Sequence, residues 1–327
     1  MGEPDVTMLD PVLETEPRAP VRGRAAAGWG RMRALASALR PTQWIKNLFV
    51  LAPVVFSQHL LEWPQLSLGV SAAALFCLVS SSIYLLNDVR DRESDRRHPQ
   101  KRMRPLASGA LTGWEAQAAL AALLVVSLGA GWRLNPSLGT VLGIYWVLNL
   151  AYSIRLKHVV ILDVFVIAAG YVLRVIGGAV VIGVALSSWL LICTTLLALF
   201  IGLCKRRHEV VLLDEGAHGH RQVLAEYPVP FLDMMIGVLA SAALVSYTLY
   251  AASEEVVRRV GHPTGLLLTV PCVLYGFFRY LYLVYRKEEG GDPTQSILTD
   301  RPMLANLFVW ALMVGAILYY HDRAGGW

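Results

Sequence analysis

The stretch Asn87-Asp88-Val89-Arg90-Asp91-Arg92-Glu93-Ser94-Asp95 follows directly on an apolar run from about Leu66 to Leu86. If the helix continues past Leu86, Asn87, Asp91 and Asp95 recur every four residues on one inclined face, with Asp88 beside Asp91. Oxygen ligands converging at a membrane surface are what Mg²⁺ bound to a phosphorylated substrate requires. The next segment, Arg96 to Pro105, is dense in cations and includes Lys101, Arg102 and Arg104. Carboxylates followed by cations suggest a metal–phosphate site with Arg and Lys clamps. A solvated loop between two membrane helices explains many charge runs, but it has no need of Asn and Asp at helical spacing.

Other polar residues interrupt apolar stretches. Lys46 and Asn47 stand just inside one apolar run, after Arg40-Pro41-Thr42-Gln43-Trp44. Trp and the cations there would serve as an interfacial anchor, but a cation within a membrane segment also needs a partner. Asp163 and Arg174 lie in another run, eleven residues apart and on similar faces. At the 1.5 Å rise they are roughly 16 Å apart, too far to pair directly, so each must face the bundle interior or a wet cavity. Lys205 and Glu209 form an i,i+4 pair at the end of a further run, in Cys204-Lys205-Arg206-Arg207-His208-Glu209. The turn Tyr152-Ser153-Ile154-Arg155-Leu156-Lys157-His158 adds Tyr152 and Lys157, and Arg221 sits in the loop beyond Glu209. His218-Gly219-His220 lacks a third ligand and reads as an ordinary loop. Arg279 is near enough to an interface to snorkel.

The elements that must position these groups are membrane helices. The 327 residues are 55% hydrophobic and 16% charged, with a mean hydropathy of +0.50. The apolar residues come in blocks and not in an amphipathic rhythm, which excludes an ordinary soluble chain. Nine spans are expected, at about 44–61, 66–87, 114–133, 137–152, 160–182, 188–204, 231–252, 265–285 and 302–320. Backbone exposed to lipid must satisfy its own hydrogen bonds, so the fold class is all-α, a polytopic helical bundle. Gly170, Gly177 and Gly178 would permit close helix contact, and Thr112 with Glu115 has the form of a capping box. Residues 1–39 are expected to be a disordered basic tail ending in a short interfacial piece from Arg31, and 40–327 to be the catalytic membrane domain.

Orientation follows from the cations. Loops 88–113, 153–159, 205–230 and 286–301 hold sixteen Lys and Arg, against Arg133, Arg258, Arg259 and Arg323 on the other side. The first group, with the N-terminus, is expected in the cytoplasm of a cell-membrane protein. This bias accounts for the net charge of +5. No aromatic–basic interleaving suggests nucleic acid as a partner. Cys77, Cys193, Cys204 and Cys272 all fall in apolar spans and read as small buried hydrophobes.

From about Arg40 to Tyr320 the chain resembles the UbiA-type intramembrane prenyltransferase superfamily, most specifically in Asn87-Asp88-x-x-Asp91-x-x-x-Asp95. That resemblance implies a helical bundle with a central cavity under a cytoplasmic cap, in which the first Asp-rich motif binds Mg²⁺ and a diphosphate. Typical members carry a second aspartate pair where this chain has Lys205-Arg206-Arg207-His208-Glu209. The departure is similar to one branch, the decaprenyl-phosphate phosphoribosyltransferases. Arg40-Pro-x-Gln43-Trp44-x-Lys46-Asn47, Lys101-Arg102-x-Arg104-Pro105, Tyr152-Ser153-x-x-Leu156-Lys157-His158 and Lys205-Arg206-x-x-Glu209 carry that likeness.

The branch resemblance implies transfer of 5-phosphoribose from phosphoribosyl diphosphate (PRPP) to a polyprenyl phosphate, supplying cell-wall arabinan synthesis. It implies Asn87, Asp91 and Asp95 as Mg²⁺ ligands and Asp88, Asp91, Asp163 and Lys205 as catalytic residues. Lys46, Asn47, Lys101, Arg102, Arg104, Tyr152, Lys157, Arg174, Arg206, Glu209 and Arg221 would bind the substrates. The remaining partner is the bilayer, and a homo-oligomer stays open. A conventional prenyltransferase acting on an aromatic acceptor is the alternative, and the missing second aspartate pair argues against it.

Overall fold

A computed structural model describes residues 24–99, 101–214, 224, 226–260, 265–286 and 293–324. Among these every regular element is helical. Among the described residues, eight helices are long and apolar enough to cross a membrane: Trp63–Arg90, Gly113–Leu134, Pro136–Ile154, Leu162–Ile182, Ser188–Val211, Val229–Arg258, Leu266–Arg286 and Arg301–Tyr319. The protein is therefore a multi-pass membrane protein.

In chain order the helices are α1 (Arg24–Ala38), α2 (Ala52–Phe56), α3 (Trp63–Arg90), α4 (Arg92–Arg97), α5 (Gly113–Leu134), α6 (Pro136–Ile154) and α7 (Leu162–Ile182). Then follow α8 (Ser188–Asp214), α9 (Val229–Ala251), α10 (Glu254–Val260), α11 (Val270–Arg286), α12 (Pro293–Thr299) and α13 (Arg301–Ala324).

Among the described residues, eight of the nine expected spans are helices of membrane length. The first expected span is a 3₁₀ segment, Pro41–Leu51, running into the five-residue α2. Pro41 and Pro53 each remove a backbone donor there, and the tighter winding covers more length per residue. The segment nonetheless runs along the bundle. Trp44 Nε1 donates to Ser81 Oγ of α3 at 3.1 Å, and Tyr319 of α13 donates to the Val55 carbonyl at 2.8 Å near the opposite end. Close approach depends on one glycine: a Cβ on Gly178 would lie 1.9 Å from the Val50 carbonyl oxygen. Gly177 similarly admits the Phe76 ring, whereas a Cβ on Gly170 would meet only ordinary contacts at 3.6 Å.

The short piece expected from Arg31 is helical. It belongs to α1, which spans Arg24–Ala38. It packs through Ala38 against Leu85 of α3 and Ala116 of α5. The core has two main bodies. One joins α3, α6 and α7 around Phe76, Leu138 and Leu142. The other joins α7, α8, α9 and α11 around Val164, Phe200, Leu232 and Tyr280. α7 belongs to both, so its two charged residues sit between them.

Helix ends follow their sequence signals. Thr112 and Glu115 form the capping box, with the Thr112 N–H donating to Glu115 Oε2 at 2.9 Å. Asn135 caps α6 by accepting from the Ser137 and Leu138 N–H groups. Asp300 caps α13 through the Met303 N–H and takes both arms of Arg279, at 3.0 and 2.8 Å. Arg279 thus tethers α11 to α13, where snorkelling was expected.

Candidate active site

The end of the bundle formed by the C-termini of α3, α6 and α8 gathers most of the residues singled out in the sequence. α3 stops at Arg90 and α4 resumes at Arg92, yet backbone bonds run from Asp91 N to Asn87 O and from Asp95 N to Asp91 O. The four-residue spacing therefore survives the break, and Asn87, Asp91 and Asp95 stay on one side.

The Asp-rich stretch is not a preassembled metal cage. Asp88 is 2% exposed and accepts from Arg40 at 2.5 Å and from Arg104 at 3.3 Å. Asp95 is buried and accepts from the same Arg104 at 2.6 Å. Ser153 at the end of α6 donates to Asn87 Oδ1. Asp91 is half-buried, and its carboxylate meets no cation among the described residues. Among those residues no three His, Cys, Asp or Glu converge closely enough to hold a metal by themselves.

The donor chemistry still fits one hard cation. Asn87 and Asp91 each offer a side-chain oxygen as a ligand, and Mg²⁺ is commonly held by one or two carboxylates plus substrate phosphates and water. Arg104, bridging Asp88 and Asp95, fixes the stretch from behind. Arg40 begins the Arg40-Pro-x-Gln43-Trp44 motif and is the second partner of Asp88. It stands in the left-handed region at φ 53°, and its guanidinium also lies 5.0 Å from the Tyr84 ring centroid. Lys101 and Arg102 lie on the exposed 3₁₀ turn Lys101–Met103 beyond α4.

A second cluster joins α7 to α8. Asp163 is fully buried and accepts from Arg206 Nε at 2.6 Å and from the Tyr227 hydroxyl at 2.7 Å. Arg206, 2% exposed, also donates to Glu209 through Nη1 and to the Tyr152 hydroxyl at 3.1 Å. Burial, and then the hydrogen bond to Asp163, push the Tyr227 phenol well above its usual range, so it remains a donor. The same hydroxyl accepts the Ile161 N–H, 2.5 Å away, at a backbone position with φ 69°. Positive φ is unfavourable for a β-branched residue. Tyr227 thereby holds the turn before α7. Lys205 Nζ is 3.9 Å from Glu209, and its side chain is 41% exposed.

The two clusters meet at α6. Its neighbouring residues Tyr152 and Ser153 touch Arg206 and Asn87 respectively. Lys157 follows in the 3₁₀ turn Leu156–His158. Beneath lies a cavity of about 130 Å³ lined by Lys46, Tyr84, Tyr145, Asn149, Tyr152, Tyr171 and Arg174. Asn47 Oδ1 accepts from Arg174 Nε at 2.7 Å, and Asn47 Nδ2 donates to Cys77 Sγ at 3.1 Å.

The structure thus brings Lys46, Asn47, Asn87, Asp88, Asp91, Asp95, Arg104, Tyr152, Asp163, Arg174, Lys205, Arg206 and Glu209 to one end and one cavity. Arg221 lies outside the described residues, as do His218 and His220. Arg206, expected as a phosphate clamp, is already gripped by two carboxylates. Ser153, Tyr145 and Tyr227 are uncharged neighbours of the site that were not among the expected site residues. Their roles come from contacts 29 to 66 residues away in sequence.

Comparison with known proteins agrees with this architecture. Residues 48–295 match the UbiA prenyltransferase family. The chain is 34% identical to a decaprenyl-phosphate phosphoribosyltransferase of Mycolicibacterium smegmatis, covering 88% of this chain and 92% of that protein. It is 31% identical to the protein of the same name from Corynebacterium glutamicum, covering 87% and 86%. Its fold is similar to a solved UbiA homologue from Archaeoglobus fulgidus bound to GPP and Mg²⁺, with a TM-score of 0.64, 16% identity and coverage of 87% and 99%. On the matched length and the shared helical bundle, the chain belongs to the UbiA prenyltransferase family and is a membrane-embedded transferase.

Proposed function

We propose that the protein transfers 5-phosphoribose from PRPP to a polyprenyl phosphate such as decaprenyl phosphate, releasing diphosphate on the cytoplasmic side of the cell membrane. The observation that carries this reading is the Asp163–Arg206–Glu209 cluster. It occupies the position where a second aspartate pair would complete a two-motif diphosphate site. A guanidinium bound between two carboxylates cannot serve as a second metal site. It leaves Glu209 held in place as a hydrogen-bond acceptor, suited to sugar hydroxyls, with Lys205 beside it. The names of the relatives support the same reaction.

Asn87 and Asp91 would hold Mg²⁺, with Asp95 behind them. When bound, the ion neutralises charge on the diphosphate and favours its departure. Lys101 and Arg104 would flank that group, and Lys157 and Lys205 would meet a second anionic end of the donor. The acceptor phosphate is already an anion, so its attack on the anomeric carbon needs no strong general base. A phosphate oxygen forms the new bond to that carbon, while the old carbon–oxygen bond breaks and its electron pair leaves with diphosphate. The residues contribute position and charge stabilisation. Direct displacement inverts the anomeric centre. The product would feed assembly of cell-wall arabinan.

The test is transfer of label. Purified protein, PRPP labelled in the ribose, decaprenyl phosphate and Mg²⁺ should yield label extractable into organic solvent, together with diphosphate. Label that stays in the aqueous phase, with prenylation of an aromatic acid from a prenyl diphosphate instead, would establish the conventional prenyltransferase reaction.

A further inference from the structure

Arg174 differs from the paired guanidiniums of this bundle. Arg40, Arg104, Arg206, Arg207 and Arg279 each meet a carboxylate. Arg174 is 6% exposed and meets none among the described residues. Its partners are neutral: Asn47 Oδ1 at 2.7 Å, the Gly170 carbonyl at 2.8 Å and the Tyr145 hydroxyl at 2.8 Å. The rings of Tyr145, Tyr171 and Phe76 lie 4.7, 5.4 and 5.9 Å from its central carbon. A positive charge inside a membrane protein without a counter-charge is costly.

Three of the five guanidinium N–H groups are used by these partners, leaving one on each terminal nitrogen. Two such donors side by side are the arrangement that takes a phosphate bidentately. The cavity that Arg174 lines has the same sign throughout. Lys46 supplies a second cation, and Tyr84, Tyr145, Asn149, Tyr152 and Tyr171 supply polar groups without a carboxylate. Val166 and Ile167 make part of its wall apolar.

We infer that this cavity is the subsite for a single phosphate group, that of the lipid acceptor, separate from the donor's charged end at α3 and α4. The inference rests on the reaction proposed above. Size allows it: about 130 Å³ admits one phosphate. Depth supports it too. Gly170, to which the guanidinium bonds, is seven residues into α7 from Asp163, about 10 Å below it at the helical rise. A water-soluble donor gains nothing by going there, whereas a lipid phosphate can be followed by its chain. Tyr152 lines this cavity and also accepts from Arg206, so the subsite abuts the Glu209 cluster.

Binding can be measured without turnover. Full-length protein in detergent would be titrated separately with farnesyl phosphate, PRPP and inorganic phosphate, following thermal stabilisation in wild type, Arg174→Gln and Arg174→Lys. Arg174→Gln should weaken farnesyl phosphate roughly ten- to a hundredfold and leave PRPP within twofold, with Arg174→Lys between. Unchanged farnesyl phosphate affinity in Arg174→Gln overturns the subsite. Loss of PRPP alone gives the cavity to the donor and overturns it as well. Should Arg174→Gln fail to fold, Arg174→Lys decides by the same split. A wild type that binds farnesyl phosphate through Arg174 yet transfers no label from PRPP keeps the subsite and refutes the reaction.

Discussion

Arg206 Nε lies 2.6 Å from Asp163 Oδ2, and neither side chain is more than 3% exposed. This pair fixes α8 to α7 at the level of the site. Its second nitrogen holds Glu209 one turn on, and its third reaches Tyr152 of α6. Arg206 therefore acts through Glu209 and Tyr152, as a positioning residue, and Lys205 is the cation of this cluster with the more exposed side chain.

Arg206→Ala should destabilise the protein by about 3–5 kcal/mol, because it leaves Asp163 charged and buried with Tyr227 as its one side-chain partner among the described residues. A lowered unfolding midpoint in detergent, with loss of turnover, is the expected result. A variant as stable as wild type that loses only PRPP affinity would return Arg206 to the role of a phosphate clamp.

Asp91→Asn preserves size but removes one charge from the proposed Mg²⁺ position. Asp88 and Asp95 are held by Arg40 and Arg104, so they cannot readily take over. Turnover should fall about 10²-fold or more, and the Mg²⁺ concentration giving half-maximal rate should rise. Near-normal rate at saturating Mg²⁺ would remove Asp91 from the site.

The Asp-rich stretch, the helical class and the inward-facing Asp163 and Arg174 were all legible in the sequence, because spacing and isolated charge carry those signals. The pairing was not. Nothing local distinguishes Arg206 from Lys205, yet one turns into the bundle to Asp163 and the other stays at its edge. The first span misled for a related reason. Its hydropathy resembles that of a helix, while Pro41, Pro53 and the close approach of Val50 to Gly178 impose 3₁₀ winding. The role of Tyr227 emerges only once the fold has brought it beside Ile161 and Asp163.

Sidedness can be read with two cysteines in a background lacking Cys77, Cys193, Cys204 and Cys272. Ser94→Cys on α4 and Glu254→Cys at the start of α10 stand exposed at opposite ends of the bundle. The distribution of Lys and Arg predicts that a membrane-impermeant maleimide labels Ser94→Cys only from the cytoplasmic side and Glu254→Cys only from the other. Labelling of both from one side would contradict that arrangement.

Lys205 and Glu209 give the most direct residue-level test of donor choice. Their separation of 3.9 Å at a partly exposed helix end makes the pair itself a minor contributor to stability. Lys205→Ala should therefore leave the unfolding midpoint unchanged. If Lys205 contacts a phosphate of PRPP, the apparent KM for PRPP should rise roughly ten- to a hundredfold, with that for polyprenyl phosphate nearly constant. Glu209→Gln separates the two uses of the neighbouring carboxylate. An amide oxygen can still accept from a ribose hydroxyl, so part of the donor affinity should survive if that is its role. If Glu209 instead serves to orient Arg206 and Lys205 by charge, the amide cannot replace it, and Glu209→Gln should lose as much PRPP affinity as Lys205→Ala. Unchanged kinetics in Lys205→Ala would mean that this cation only sets orientation in the membrane, leaving the phosphoribosyl reading without support from this helix.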